Sequence, residues 1–398
     1  MSTLKVGAIR GVSASEDAIT VSNDGTATGN FTNRKGKNLV INGGMTVSQR
    51  ATTTSSVGTG AGIDVCDRWK RNIDLPSGVS NLTMSKETDS PDGFSTSLKV
   101  TPNQARDAAL SGADRFFLQQ ILEAQNIRTS GWNYTDPNSK LTLSFYIKSN
   151  LTGVVSIEVT AEDSPSATRN FYGAVTINSA NTWERKTLVI PGHADLVMNN
   201  DNGNGFAFTF MYAAGPSFTS GTHTTGQWSD SSVTGNRASS SNIDIFSSAS
   251  NFVSLTGVQL ELGSKATDFE HEPYCDTARK CYRYYYASRA DGTLGVGSNN
   301  YASGFFGFGL NGNIIGGGGR FPEPMRSIPT MTLVQPQNGT FNSAHLFRGV
   351  TGSNGGVDIA GSGVNFIDIG VFGYLYVTFT TAVQGGGYLY HIIADSEI

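Results

Sequence analysis

Alternation of apolar and polar side chains along short stretches is the feature that most constrains this chain. In LTLSFYIK (141–148), leucine, phenylalanine and isoleucine occupy every second position, and the same period of two recurs in VVSIEVTA (154–161), GFAFTFMY (205–212) and GVQLEL (257–262). Successive side chains of a β-strand point to opposite faces of a sheet, so this period predicts strands with one buried and one solvated face. Such strands are typical of antiparallel sheets packed as a sandwich.

The same reasoning divides the chain into four parts. Residues 1–37 hold too few apolar side chains to bury a core, and we interpret them as an attachment segment ordered by a partner. Residues 38–274 are predicted to form a jelly-roll-like β-sandwich. Residues 275–286 are predicted to form a short linking helix, with Asp276 as its N-cap, that runs into a strand. The glycine-rich and aromatic-rich residues 287–398 are predicted to form a second, smaller β-sandwich domain. The expected fold class is therefore all-β.

Two stretches follow the pattern less simply. FFLQQILEAQNI (116–127) could form a short helix, but its alternating side chains also fit an edge strand, and the strands on either side favour that interpretation. In VFGYLYVTF (371–379), Leu375 and Val377 are expected on one face and Tyr374 and Tyr376 on the other. Large side chains on both faces predict that the second face is also covered, by another subunit.

Composition and charge argue against several classes of protein. Charged residues make up 15% of the chain, against roughly 25% in a typical soluble domain, and the formal net charge is −4. This balance gives no electrostatic reason to expect nucleic acid or an anionic membrane as partner. No stretch approaches the ~18 apolar residues of a membrane-spanning helix. The three cysteines, Cys66, Cys275 and Cys281, are odd in number and scattered, which fits synthesis in a reducing cytoplasm rather than a disulfide framework.

Two glycine-bearing motifs have ordinary structural interpretations. Gly307, Gly309 and Gly312 match GxGxxG, but more glycines and a proline follow where a dinucleotide site needs a helix, so we expect a β-turn region. The stretch NNDNGNG (199–205) has the oxygen-rich spacing of a calcium loop with a single carboxylate, Asp201, and we expect a polar turn. The five histidines lack metal-ligand spacing. No metal and no cofactor are therefore predicted.

A carboxylate pair for glycoside hydrolysis would be visible only as a separation in space. Asp67, Glu158, Glu162 and Asp163 are candidates in principle, although 32 acidic residues guarantee chance pairs. No catalytic residue is predicted from the sequence.

Several motifs in a fixed order resemble a family of phage tail-fibre and minor tail proteins. They are NLVINGGMTVSQR (38–50), CDRW (66–69), LQQILEAQNI (118–127), LTLSFYIKSNLTG (141–153), NTWERKTLVIPG (181–192), LTGVQLELGSKATDFEHEPY (255–274), CYRYYY (281–286) and FPEPMRSIPTMTL (321–333). The resemblance covers roughly residues 38–335 and the extreme C-terminus. It implies a carbohydrate-binding-module-like jelly roll followed by a β-rich tip domain, usually assembled as a trimer on a phage tail or, less often, on the capsid.

Aromatic side chains in polar surroundings suggest where a sugar would bind, because sugars stack on flat rings and hydrogen-bond to neighbouring polar groups. Trp132 and Tyr134 (SGWNYTDPNS) and Trp228 (TTGQWSDSS) are expected in exposed loops, and Tyr146 on the polar face of its strand. We predict these four as carbohydrate-binding residues. Trp69 and Trp183 fall in the motifs of the resemblance and are expected in the core instead. Tyr301, Tyr374 and Tyr376 are weaker candidates in the tip domain.

The expected function is that of a phage virion structural protein, a tail fibre or tail appendage, that binds host surface glycan for adsorption without catalysis. It would assemble in the host cytoplasm as a homotrimer and contact other tail proteins through residues 1–37. Two alternatives remain: a capsid-attached head fibre or decoration protein of the same architecture, and a glycan depolymerase.

Overall fold

The structure, a computed structural model, describes residues 6–10, 12, 19–21, 27–29, 36–288, 305–311, 314–334, 341, 343–347, 357–360, 365–378 and 387–398. It is 43% strand and 9% helix, which confirms the predicted all-β class. Three short strands near the N-terminus form a small antiparallel sheet: β1 (Ala8–Ile9), β2 (Ile19–Val21) and β3 (Ala27–Gly29).

Residues 36–284, called the body below, contain thirteen strands and three short helices. The strands are β4 (Thr53–Val57), β5 (Gly60–Gly62), β6 (Lys70–Asp74), β7 (Leu82–Glu87), β8 (Ser97–Pro102), β9 (Arg115–Glu123), β10 (Lys140–Ser149), β11 (Gly153–Ala161), β12 (Asn170–Ile177), β13 (Glu184–Pro191), β14 (Asn204–Ala214), β15 (Gln227–Ser229) and β16 (Val253–Leu262). The helices are α1 (Ala124–Arg128), α2 (Pro216–Thr219) and α3 (Tyr274–Tyr282), with 3-10 turns at Ser166–Thr168, Thr234–Asn236 and Ile245–Ser247.

Two antiparallel sheets form the body. The six-stranded sheet has the order β13-β10-β16-β8-β7-β4, and the seven-stranded sheet has the order β15-β12-β11-β14-β9-β6-β5. Their facing side chains make one buried cluster, in which Phe145 of β10 lies 4.8 Å from Phe210 of β14 between ring centroids. The alternating residues of these two strands face the core as predicted, so the period of two decides which side of each strand is buried.

The ambiguous segment 116–127 is a strand followed by a single helical turn. Strand β9 ends at Glu123, and α1 occupies the next five residues. The strand is confirmed, but the expected edge position is wrong, since β9 pairs with β14 on one side and β6 on the other. Both faces are covered there, which explains why its pattern is less regular than that of β10.

The predicted linking helix is α3, and it does run into a strand, β17 (Tyr285–Ala287). The helix begins at Tyr274 after Pro273, so the prediction of Asp276 as N-cap is wrong. Asp276 lies instead in the first turn, where a carboxylate is favoured by the helix dipole. Ala278 and Cys281 face inward and pack against the loop that holds Val47.

Beyond the body, one antiparallel sheet contains β17 and eight later strands. These are β18 (Phe305–Asn311), β19 (Ile314–Arg320), β20 (Thr330–Val334), β21 (Ser343–Phe347), β22 (Val357–Ala360), β23 (Asn365–Ile367), β24 (Gly373–Thr378) and β25 (Gly387–Asp395). Strand β25 is central to the sheet, because it pairs with β17, β18, β20 and β21. Gly307 and Gly309 lie in β18, which pairs with β19 rather than preceding a helix, while Gly312 and Tyr301 lie outside the described residues.

The last four residues, 395–398, which begin at the end of β25, pack against the body and are called the tail below. Arg68, whose side chain is 1% exposed, forms an ion pair with Glu397 and lies 3.5 Å above the centroid of the Tyr284 ring. Arg50 lies 3.5 Å from carboxylate oxygens of both Glu397 and Asp395. Two arginines of the body therefore hold the acidic tail.

Backbone contacts extend this junction. The ammonium of Lys70 donates to the carbonyl oxygen of Ile398 at 3.1 Å, and Arg326 donates to the carbonyl oxygen of Ser396 at 2.7 Å. The amide of Ser396 donates in turn to Tyr284 at 2.8 Å. The tail thus joins the body to the C-terminal sheet. None of the described helices combines the length and the hydropathy required to cross a membrane.

Candidate ligand-binding surface

Trp132 lies inside the body, not in an exposed loop. Its side chain is 3% exposed, its indole N–H donates to the carbonyl oxygen of Ser139 at 3.2 Å, and its ring packs edge-on against Phe206 at 5.8 Å. The expectation that Trp132 is exposed is wrong because the polar loop around it turns the ring inward onto the core. A ring this buried offers no face to a sugar.

Tyr134 and Trp228 are half-buried beside the C-terminal end of β13. The Tyr134 ring lies 6.3 Å from Trp132, and the Tyr134 carbonyl accepts from the amide of His193 at 2.9 Å. The indole N–H of Trp228 donates to Pro191 at 2.8 Å. Both rings thus take part in packing at the edge of the sandwich, and their role in ligand binding stays a prediction.

Tyr146 lies on the outer face of the six-stranded sheet, as predicted. Its neighbours on that face are Arg185 of β13 and Thr256 of β16. The ring is half-buried because Phe94, from the loop before β8, packs on it at 5.3 Å. The structure therefore separates Tyr146, which lies out on this face, from the three predicted residues at the edge and end of the sandwich.

Trp183 joins Tyr146 on this face, although the sequence predicts it in the core. It directly precedes β13, whose Glu184 pairs with Ile147, so alternation places Trp183 on the same side as Arg185. Its indole N–H donates to Asp89 at 3.2 Å, and the ring is half-buried. The core prediction is wrong for Trp183, while Trp69 is 0% exposed and its core prediction is confirmed.

Five side chains on this face form the candidate surface, called the Tyr146 face below. It consists of Tyr146 and Lys148 from β10, Trp183 and Arg185 at the start of β13, and Asp89 from the loop after β7. Asp89 bridges two of them, since it accepts from the ammonium of Lys148 at 2.9 Å as well as from Trp183. Two aromatic rings thus lie beside a fixed carboxylate and two cations.

Asp89 is an ionised hydrogen-bond acceptor. Hydrogen bonding from Lys148, with a further bond from Trp183, holds the pKa of this carboxyl below its usual range. The side chain is still 55% exposed. It can therefore accept bonds from a ligand hydroxyl without losing its two protein partners.

An aromatic cluster borders the Tyr146 face. Phe94 lies 4.9 Å from Phe269 and 5.0 Å from His271 between ring centroids, beside a small pocket of about 180 Å³. Gly257 makes this packing possible: its φ is +61°, and a Cβ there would lie 2.7 Å from the Phe94 ring and 2.9 Å from Tyr146. The pocket is smaller than the ~300–1,000 Å³ that encloses a drug-sized ligand, so it could hold only a small group.

The outer face of the other sheet is covered. Ala238, from the segment after β15, packs on it against Phe117 and Met211. Below this segment the Glu158 side chain, 1% exposed, accepts from the guanidinium Nε of Arg237 at 2.9 Å on both oxygens. Of the two outer sheet faces of the body, we therefore take the Tyr146 face as the candidate surface.

The four carboxylates considered for hydrolysis each have a structural partner. Glu158 pairs with Arg237, and Asp163 accepts from the amide of Asn199 at 2.9 Å. Glu162 lies 3.8 Å from Arg169. Asp67, with 0% of its side chain exposed, accepts from the amide of Gln49 at 3.0 Å, and burial raises its pKa to about 6. The structure does not gather these carboxylates at the Tyr146 face.

A larger groove, of about 810 Å³, runs between the start of the body, α1 and α3. Polar and charged side chains such as Lys37, Gln125 and Glu261 line it, and Tyr284, the one aromatic residue among the described lining residues, is 1% exposed. The groove has no exposed ring on which a sugar could stack.

Among the described residues, no group of three or more His, Cys, Asp or Glu side chains could hold a metal ion. Asp201 accepts from the amide of Gly203 at 2.9 Å within a polar turn.

Comparison with known proteins gives structural neighbours only. No family model matches the chain, and no curated protein matches it in sequence. Among solved structures, the enzymatically active domain of tailspike protein 4 of bacteriophage CBA120 is similar at 13% identity and a TM-score of 0.26, over 57% of this chain and 22% of that one.

Two carbohydrate-binding modules are also among these neighbours. The family 11 module of the cellulase Lic26A-Cel5E of Clostridium thermocellum matches at 13% identity and a TM-score of 0.25, over 52% of this chain and 98% of the module. The xylan-binding CBM22-1 domain of Paenibacillus barcinonensis Xyn10C matches at 10% identity and a TM-score of 0.22, over 54% of this chain and 94% of that one. The chain thus spans about a fifth of the tailspike domain and nearly all of each module.

Proposed function

We propose that the chain is a structural protein of a phage virion, a tail fibre or tail appendage, that binds a glycan of the host surface without cleaving it. The observation that carries the proposal is the Tyr146 face, where two aromatic rings flank an ionised, half-exposed carboxylate. The resemblance of residues 38–335 to phage tail proteins supports the virion role.

The chemistry of this face suits a sugar. The C–H faces of a sugar ring stack on Tyr146 and Trp183, which supply large contact area at little cost in conformational entropy. Sugar hydroxyls donate to Asp89 and accept from Lys148. Because Tyr146 and Trp183 are already packed against Phe94 and Asp89, the surface is ordered before the ligand arrives.

Binding without cleavage is the second part of the proposal. A glycosidase needs an acid that is protonated near neutral pH and a second carboxylate on the other side of the scissile bond. Asp89 does not meet the first requirement, because its lowered pKa keeps it ionised. The second requirement is not met either, because the five side chains of the Tyr146 face include no other carboxylate.

Assembly and location are the third part. Residues 1–37 would contact other virion proteins, and a homotrimer would bury exposed apolar rings of the C-terminal sheet. Phe306 and Phe308 of β18 are 52% and 58% exposed and lie 4.8 Å apart between ring centroids. Light scattering of the purified chain tests the trimer, and a monomeric mass at micromolar concentration would exclude it.

The test of the binding face uses Trp183→Ala and Tyr146→Ala. Each removes one ring, and we expect a loss of about 1–2 kcal/mol, or roughly five- to thirty-fold in affinity for host cells. Tyr274→Ala is the matched control, since it removes a ring that is 54% exposed on α3, outside the Tyr146 face.

Cell-binding isotherms of the three variants should separate them, with circular dichroism as the check on folding. Normal adsorption by both Trp183→Ala and Tyr146→Ala would show that this face does not bind the host. Release of sugar from host envelope by the unaltered chain would show that the protein is a depolymerase and would overturn the proposal of binding without cleavage.

A further inference from the structure

Not every cation around the Tyr146 face forms an ion pair. Lys148 pairs with Asp89, but neither Arg185 nor Lys99 forms an ion pair with any carboxylate in the described part of the chain. Arg185 is exposed and donates to the carbonyl oxygen of Thr267, and Lys99 lies 4.8 Å from the centroid of the Phe252 ring. Lys99 forms no ion pair, but its charge, like that of Lys148, helps to lower the pKa of the Asp89 carboxyl, so Arg185 is the cation of this face without an acidic partner.

The strand register places these cations on the same side of the sheet. Lys148 pairs with Ser254, which pairs in turn with Lys99, so all three side chains emerge from one face. Because neighbouring strands lie ~4.8 Å apart, the backbones of Lys148 and Lys99 are separated by roughly 10 Å. Arg185 pairs directly with Tyr146 on the other side. The cations thus border the aromatic residues rather than lying elsewhere on the body.

Nearby carboxylates on this face have partners of their own. Glu87 of β7 accepts from the hydroxyl of Ser85 at 2.6 Å, and Glu261 of β16, 3% exposed, accepts from the amide of Thr267 at 2.8 Å. Neither is an ion-pair partner of Arg185 or Lys99. The attraction of Arg185 for an anion is therefore left for a ligand.

We infer that the ligand of the Tyr146 face is an acidic glycan, with its sugar rings on Tyr146 and Trp183 and a carboxylate or phosphate substituent on Arg185. This inference rests on the proposed function and names the class of its ligand. A guanidinium has five donors in a planar fork, and the bond to Thr267 uses only part of them. The remaining donors match two oxygens of a carboxylate or phosphate, and such charge-assisted bonds are the stronger kind.

The experiment uses the full chain on an array of bacterial surface polysaccharides that carry uronic acid, carry phosphate, or carry no charge. We expect binding to the charged groups and little to the neutral ones. Reduction of the uronic acid of a bound polysaccharide to the neutral sugar, or enzymatic removal of its phosphate, should weaken binding about ten-fold or more and identify which anion is recognised. Raising the salt concentration should weaken binding as well.

Arg185→Gln should lower affinity for the acidic polysaccharide about ten-fold, and Lys99→Gln should lower it less, because Lys99 lies one strand further from Tyr146 than Arg185 does. Arg279→Gln is the matched control, an arginine 67% exposed on α3. Arg185 is exposed, so its variant should fold, and thermal unfolding verifies this.

Two failures are distinguishable. If neutral polysaccharides bind as tightly as acidic ones and Arg185→Gln binds normally while Trp183→Ala does not, the acidic ligand is excluded and the proposed function stands. If no polysaccharide binds and Trp183→Ala leaves adsorption to host cells unchanged, the proposed function itself falls.

Discussion

Replacement of Glu397 by glutamine should destabilise the junction between the body and the tail. Glu397 pairs with Arg68, whose side chain is 1% exposed, and glutamine keeps the shape of the side chain while removing its charge. The guanidinium of Arg68 would then remain inside the protein without an anion. Its stacking on Tyr284 at 3.5 Å prevents it from moving out to solvent.

The cost can be sized from the burial of the pair. Removing one partner of a buried ion pair typically costs about 3–5 kcal/mol, since the remaining charge is left uncompensated. Glu397 is itself 13% exposed, and Asp395 remains near Arg50, so we expect the lower end, about 3 kcal/mol. Arg68→Met together with Glu397→Gln removes both charges and should recover much of the loss.

Hydrogen exchange and urea unfolding provide the measurement. Amides of Tyr285–Ala287, which pair with β25, should exchange faster in Glu397→Gln than in the unaltered chain, and the unfolding midpoint should fall. Glu323→Gln is the control, because Glu323 and Arg279 are 36% and 67% exposed and 3.9 Å apart. An exposed ion pair of this kind contributes little to the free energy of unfolding. If Glu397→Gln and Glu323→Gln unfold alike, the tail does not hold the two parts together.

Two further predictions concern the body. Trp132→Ala should cost about 3–5 kcal/mol in the free energy of unfolding, as expected for a large aromatic side chain removed from a core, and any loss of host binding should follow the loss of folded protein. A folded but less stable variant that still binds would support a structural role for Trp132. A variant of unchanged stability that fails to bind would show that Trp132 is part of the ligand site. Burial raises the pKa of Asp67 to about 6 from 3.8, so the native chain retains a proton that the unfolded chain releases between these values. Its contribution to stability should therefore fall by roughly 3 kcal/mol as the pH rises from ~4 to ~6, and Asp67→Asn should abolish this slope, as denaturation across that pH range would show.

The sandwich could be predicted from the sequence because its cause is local. One face of a strand such as β10 is buried along its whole length, so apolar residues repeat at every second position. This pattern predicts both the strand and its buried side. The segment 116–127 was harder because β9 is covered on both faces. Its pattern keeps the strand signal but loses the information about position within the sheet.

The site could be predicted only in part, because exposure of a loop residue depends on distant chain. Trp132 has polar neighbours in sequence, yet Phe206 supplies its packing partner. Trp183 lies in a motif that suggested the core, yet the register of β13 on β10 turns it outward. The register of β13 supplies the missing information. Trp183 lies two positions before Arg185 and so shares its face, whereas Ile190 lies on the opposite, buried face.

Leu375 shows the same limit in β24. Strict alternation predicts it beside Val377 on one face, but Leu375 is 57% exposed whereas Tyr374 is 5% exposed. The pairing with β19 shifts between Gly316 and Gly319, and an irregularity of this kind exchanges the faces beyond it. Nothing in the local pattern announces such a shift.

The attachment of the tail has a consequence for biosynthesis. Arg68 and Glu397 are separated by 329 positions, so a ribosome completes the whole body before it makes the anion that Arg68 requires. Until then the nascent sandwich carries an unneutralised guanidinium in its interior, and the segment that contains Glu397 neutralises it. Premature termination anywhere in the C-terminal sheet would therefore weaken the sandwich as well as remove that sheet.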